Sequence, residues 1–187
     1  MAVFVGATVA ITIYLAIYDP KLLERRMSAG PTAERETTQK VVMVFAFVGF
    51  VGLLVLPALD HRFGWSPVSS LVSVIGDALV SLGFLVVFCV LRQNRYAAST
   101  IQIAEEQKVI STGFYSAVRH PMYAGVLPLL VGTPLALGSW YGLFVLVILG
   151  PAFVWRLLDE EKFLQKNLPE YTKYTQKVHW RLIPGIF

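Results

Sequence analysis

Hydrophobic positions fall into five long blocks, 2–18, 41–59, 68–91, 122–137 and 141–158, with polar stretches between them. A helix needs about 20 apolar residues to cross hydrocarbon, so each block predicts a spanning helix, the first near the lower length limit. Asp19-Pro20 ends the first block. The stretch 21–40 then reads as a loop around Ser28-Ala29-Gly30-Pro31, with a short surface helix over 21–27 whose Leu22, Leu23 and Met27 dip into the membrane interface. Residues 60–67 predict a short connection, with Trp65 suited to the headgroup layer. Residues 92–119 form the longest polar stretch. Gly138-Ser139-Trp140 joins the last two blocks. Pro128, Gly132 and Pro134 predict a bent fourth helix that relies on neighbours to satisfy its backbone. Gly138 and Gly142 straddle the turn, so their GxxxG spacing carries no packing weight.

Beyond Asp159 the pattern changes. Phe163, Leu164, Leu168, Tyr171, Tyr174 and Val178 recur at three- and four-residue steps, one face of an amphipathic helix lying on a membrane or on the protein. Pro169 starts a second helical segment, and 180–187, with Pro184-Gly185, reads as irregular. The fold class is therefore an all-α integral membrane protein of about five transmembrane helices with C-terminal amphipathic helices. Residues 1–187 form one membrane domain, in which 1–91 is a three-helix part and 92–187 carries the last two spans and the tail.

Composition agrees: 56% of residues are hydrophobic and 15% charged, against about a quarter charged in soluble domains. The net charge of +4 follows topology and is no nucleic-acid patch. Segments 19–40, 92–121 and 156–187 hold 15 of the 16 Lys and Arg residues, leaving only Arg62 elsewhere. With five spans, the positive-inside rule puts the N-terminus outside and the C-terminus in the cytoplasm. The first block has no basic residues before it and no small-residue cleavage site ahead of Asp19, so it reads as a retained helix. Cys89 lies inside an apolar run and, as the sole cysteine, forms no intrachain disulfide. No repeat is visible and no oligomer is predicted.

Two polar segments, 102–123 and 156–174, share the cytoplasmic boundary and flank the last helix pair. His120 precedes Pro121 at a helix start, where free N–H groups favour anions. His120 and Tyr123 lie three apart, and Arg156 and Glu160 four apart, so each pair shares a helix face. Singly these residues read as an interfacial tyrosine, a snorkelling arginine and a solvated glutamate; facing one another at one membrane surface, they make a site. Asp77, inside the third block, reads first as a hydrogen-bond partner for another helix and second as a buried functional acid. No metal is expected, since His61, His120 and His179 lie on different segments. No HExxH, Walker or GxGxxG motif occurs. Ser111 and Ser116 carry no nucleophile elbow.

Arg119-His120-Pro121-Met122-Tyr123-Ala124-Gly125, preceded by Thr112-Gly113-Phe114-Tyr115, resembles the RHPxYxG signature of the isoprenylcysteine carboxyl methyltransferase family. Glu160-Glu161, then Pro169-Glu170-Tyr171 and Tyr174, resemble its EE…EYxxY segment, and Arg181-Leu182-Ile183-Pro184 its closing RxxP. The blocks cover about residues 100 to 187 in the family's order. Phospholipid N-methyltransferases share the HPxY and EE elements.

This resemblance implies S-adenosylmethionine at the cytoplasmic face, with S-adenosylhomocysteine as product. Gln107, Lys108, Val109, Ile110 and Tyr115 would hold its nucleoside and amino-acid parts, with Gln102 a further ligand. Pro121 and Met122 belong to the same set. His120 and Tyr123 would close on the carboxylate of the methionine moiety, and Glu160 would take the ribose or the ammonium. Arg156 matches an arginine associated with the acceptor, so Arg156 and Glu160 are the catalytic candidates. The implied acceptor is a lipidated carboxylate whose hydrocarbon enters from the bilayer. The alternatives are a phospholipid amine N-methyltransferase and, from another class, a non-catalytic small membrane transporter or assembly factor, which Asp77 would favour.

Overall fold

Asp19 closes one helix and opens the next. The first helix, α1 (Ala2–Tyr18), stops where the Asp19 carboxylate accepts the Leu22 N–H at 3.1 Å and Pro20 takes the first helical position of α2 (Pro20–Met27). Side-chain capping and a proline with no N–H to satisfy are what a helix start requires. The computed structural model describes residues 2–28, 37–97, 100–101 and 108–187. The expected helix over 21–27 is present, yet its apolar face turns toward protein. Leu22 is fully buried in a cluster with Leu15, Val87 and Leu91, and Leu23 packs at its edge; only Met27 stays exposed.

The remaining helices are α3 (Thr37–Phe63), α4 (Ser70–Gln93), α5 (Phe114–Ala117), α6 (Pro121–Ala136), a 3-10 turn at Tyr141–Val145, α7 (Leu146–Asn167) and α8 (Pro169–Lys177). Thr37–Phe63, Ser70–Gln93 and the continuous Tyr141–Asn167 are long and apolar enough to cross a membrane; α1 and α6 are shorter apolar helices. The expected connection at 60–67 is shorter than its sequence suggests, because α3 continues through Asp60–Phe63. Gly64, at φ +65°, makes the turn.

The reason for that continuation is a polar latch. Asp60 is buried, accepts the Ser66 N–H at 2.7 Å, and also accepts the hydroxyls of Ser66 and Ser139. Ser139 Oγ in turn accepts the Gly142 N–H at 2.8 Å. A buried carboxylate is stable only with such partners. The latch joins the α3–α4 loop to the α6–α7 turn at the end of the bundle away from the polar cassette.

Close backbone contact binds α4 to α6. Glycines seven residues apart on each antiparallel helix meet in register: a Cβ on Gly83 would sit 2.7 Å from the Gly125 carbonyl oxygen, and one on Gly132 2.7 Å from that of Gly76. Small residues at helix crossings permit this approach where lipid supplies no hydrophobic drive. Gly142 is likewise closely packed, against Pro134 and Pro57, so it does carry packing weight, contrary to the expectation from its place in the turn. α1 packs on α4, and α3 on α7. Asp77 on α4 is half-buried, and among the described residues its carboxylate does not make the expected interhelical hydrogen bond.

Candidate active site

The cassette before α6 is held from three directions. Gly113 adopts φ +55°, and a Cβ there would collide with the Gln93 side chain. The Gln93 amide donates to the Thr112 carbonyl at 2.5 Å and accepts the Phe114 N–H at 3.2 Å. The backbone N–H groups of Arg119 and His120 donate to the carbonyls of Trp180 and Arg181, each at 2.9 Å. The irregular tail thus lies alongside the cassette as an extended strap. Tyr174 donates to the Tyr115 carbonyl at 2.6 Å, and Asn94 donates to the Tyr115 hydroxyl at 2.6 Å.

The amphipathic C-terminal face packs on this protein frame: Tyr171, Tyr174 and Val178 form a buried cluster with Val109, Tyr115, Leu164 and Leu168 at its rim. Burial pushes the Tyr115 phenol up to about 12, and pushes those of Tyr171 and Tyr174 up as well. All three therefore stay protonated donors at neutral pH.

From the cassette, His120 caps α6 at its N-terminal end, with Pro121 in the first helical position. His120 and Tyr123 do share a side, their rings meeting edge to face at 5.7 Å. Tyr123 donates to Glu160 Oε2 on α7 at 2.6 Å and stacks edge-on against Phe153 at 4.9 Å. The two polar segments separated in sequence therefore meet.

Glu161, the other half of the acidic pair, faces elsewhere, as adjacent helical residues must. It is 4% exposed. Its Oε1 lies 2.5 Å from Arg119 Nη1 and 3.9 Å from His120 Nε2, while its Oε2 accepts Arg181 Nε at 2.8 Å. It ties α7 to the cassette and to the strap. Arg156 Nη1 donates to Gln39 Oε1 at 3.1 Å, and Gln39 Nε2 donates to Asp159 Oδ2 at 2.7 Å.

A cavity of about 380 Å³ opens among these groups. Lys108, Val109, Ile110, Tyr115, His120, Pro121, Met122, Tyr123, Arg156 and Glu160 all line it. Gln102 and Gln107, the other two expected ligands, lie outside the described residues, as do Glu105 and Glu106. The lining also includes Arg26, Asn94, Arg119 and Tyr171, which the sequence did not single out as ligands, and apolar walls from Met43, Ala46, Val126 and Phe153. Arg26 also donates to the Ala97 carbonyl at 3.2 Å. Glu161 was visible as half of an acidic pair. Gln39 carried no signal, since its partners lie more than a hundred residues away.

The described lining offers groups for a cation and for an anion. Three of its buried polar atoms, His120 Nε2, Arg119 Nε and Tyr171 Oη, find no hydrogen-bond partner among the described residues. Buried groups of that kind are rare without a ligand or solvent to meet them. Glu160 offers a carboxylate for a cation or a hydroxyl, and the start of α6 favours an anion. Among the described lining residues there is no serine or cysteine nucleophile.

The phospholipid methyltransferase family model matches residues 71–171. A protein of Oryza sativa subsp. indica named probable protein-S-isoprenylcysteine O-methyltransferase is 31% identical over 130 residues, covering 67% of this chain and 65% of the relative. The protein of the same name from Oryza sativa subsp. japonica matches to the same extent. The chain thus spans less than two thirds of the length of these relatives. The region matched by the family model contains the HPxY and EE elements that carry the resemblance.

Proposed function

The chain belongs to the phospholipid methyltransferase family, and we propose that it transfers a methyl group from S-adenosylmethionine to the carboxylate of a lipid-attached acceptor. In this reading it is a five-span membrane enzyme with its site on the cytoplasmic side. The observation that carries the reading is Arg156: its guanidinium is oriented by Gln39, and it shares one cavity with Glu160, Tyr123 and His120.

Bound S-adenosylmethionine supplies an electrophilic methyl on a positively charged sulfur. Lys108, Val109, Ile110 and Tyr115 would hold its nucleoside side. His120 and the first turn of α6 would receive its carboxylate. Glu160, steadied by Tyr123, would take its ammonium or ribose hydroxyls. Arg156 would hold the acceptor carboxylate by two parallel hydrogen bonds, a geometry lysine does not reproduce.

A carboxylate is ionised at neutral pH, so the chain has no proton to remove. Its contribution is placement, bringing acceptor oxygen and methyl carbon into line with the departing sulfur. Met43, Ala46, Val126 and Phe153 give the acceptor's hydrocarbon an apolar wall and keep water from the reacting atoms. The name of the rice relatives supports the carboxylate.

The test is transfer of labelled methyl to an S-farnesyl cysteine analogue and to phosphatidylethanolamine. Label on the cysteine carboxylate is expected. Label on phosphatidylethanolamine alone would reassign the acceptor to an amine and give Glu160 the proton.

A further inference from the structure

Gln39 does not line the cavity, yet it is one of the most buried polar side chains of the protein, at 3% exposure. It stands in the first turn of α3, against the face of α7 that carries Arg156 and Asp159. Its amide is used at both ends: the carbonyl accepts Arg156 Nη1 at 3.1 Å and the NH₂ donates to Asp159 Oδ2 at 2.7 Å. An amide between a pure donor and a pure acceptor has a single satisfactory orientation. Asp159 is steadied on its far side by Lys162, 3.6 Å away. The result is a chain from solvent to cavity: Lys162, Asp159, Gln39, Arg156.

We propose that Gln39 is a positioning residue that holds the Arg156 guanidinium in the orientation in which it receives the acceptor's anion. The proposal rests on the assignment of Arg156 to the acceptor. Glu160 lies four residues beyond Arg156 on the same helix, the spacing at which an ion pair forms readily. Arg156 also meets the Tyr123 phenol, so without Gln39 the guanidinium can be drawn over to the Tyr123–Glu160 side. That shift would remove the acceptor's anchor and draw Glu160 from Tyr123. A neutral amide suits this role, because it orients the cation through a hydrogen bond without cancelling the charge that the acceptor must meet.

The experiment is steady-state kinetics of the full chain with whichever acceptor of the panel takes the methyl group, alongside S-adenosylhomocysteine binding and thermal unfolding. Gln39→Met, close to isosteric, should raise the acceptor KM roughly tenfold, the loss expected for a hydrogen bond to a charged group. Cofactor affinity should stay within about twofold. Gln39→Asn, which keeps a neutral amide but is one methylene too short to reach both Arg156 and Asp159, should raise the KM in the same direction and serves if the methionine variant does not fold. In an Arg156→Lys background, Gln39→Met should add little, because both changes act through one contact. Full additivity, or a KM unmoved by Gln39→Met while Arg156→Lys raises it, overturns the positioning role and leaves the acceptor assignment standing. A KM moved by neither change overturns both.

Discussion

Tyr123 and Glu160, on different helices and 37 residues apart, are joined by a 2.6 Å hydrogen bond from phenol to carboxylate. This bond closes the angle between α6 and α7 at the cavity and holds the carboxylate in place. Removing the donor leaves Glu160 in the same lining without its partner. Tyr123→Phe should therefore weaken S-adenosylhomocysteine binding by roughly ten- to a hundredfold, the range for a hydrogen bond to a charged group. Calorimetric titration of the two proteins measures it, and equal affinities would remove Glu160 from the cofactor site.

The two glutamates of the acidic pair should fail in different ways. Glu161→Ala strands Arg119 and Arg181, and breaking a buried ion pair in this manner costs about 3–5 kcal/mol. Thermal unfolding in detergent should show a clear loss for Glu161→Ala. Glu160→Gln should unfold near the parent temperature and lose cofactor affinity instead. If the two variants exchange these behaviours, the division of labour between them is wrong.

Contact between α4 and α6 predicts a sharp positional dependence among glycines. Gly83→Ala places a methyl against the Gly125 carbonyl and should cost about 1–3 kcal/mol as an overpacked interface. Gly150→Ala meets nothing within 4 Å and should leave stability unchanged or slightly raised, since alanine favours a helix. Unfolding midpoints of the two variants, compared in one detergent, decide the matter.

The buried phenols make stability fall in alkali. Tyr115 titrates at about 12 when folded, while an unfolded tyrosine titrates near pH 10. The folded pKa is the higher one, so the unfolded chain loses protons first. Stability is fully present below about pH 10 and drains away as pH rises toward the folded value. Burial raises Tyr171 and Tyr174 in the same sense. Phenolate absorbance should therefore appear together with unfolding for these three. Reversible ionisation of all tyrosines near pH 10 with the fold intact would contradict their burial.

A mutation in the hydrophobic centre offers an independent check on α2. Leu22 is fully buried between α1 and α4, so Leu22→Ala should cost about 2–5 kcal/mol. A residue resting in the membrane interface would cost far less. The unfolding midpoint separates the two placements.

Where the signal is local, the sequence alone determined the outcome. The length and hydropathy of each apolar run specified α1, α3, α4 and α6 within about four residues, whereas α7 starts five residues into its block and runs nine residues past it, to Asn167. Pro121 and Pro169 marked two helix starts, since proline is tolerated there and almost nowhere else in a helix. The three- to four-residue rhythm from Phe163 to Val178 specified the amphipathic face. The Arg119–Gly125 motif and the Glu160–Glu161 pair marked six of the lining residues, Arg119 to Tyr123 and Glu160.

Tertiary structure decided whatever depends on two distant segments meeting. Whether Leu22 faces lipid or protein is set by the presence of α4, and hydropathy is the same for both. Asp60 reads as a loop acid until Ser66 and Ser139 arrive to satisfy it and let α3 run on. Which of Glu160 and Glu161 faces the cavity depends on how α7 is rotated against α6, a rotation governed by packing. Gln39 is the extreme case: its neighbours in the chain are ordinary, and its chemistry comes entirely from Arg156 and Asp159, brought to it by the packing of α3 on α7. Hydropathy records what a residue prefers; only the packed helices assign its partner.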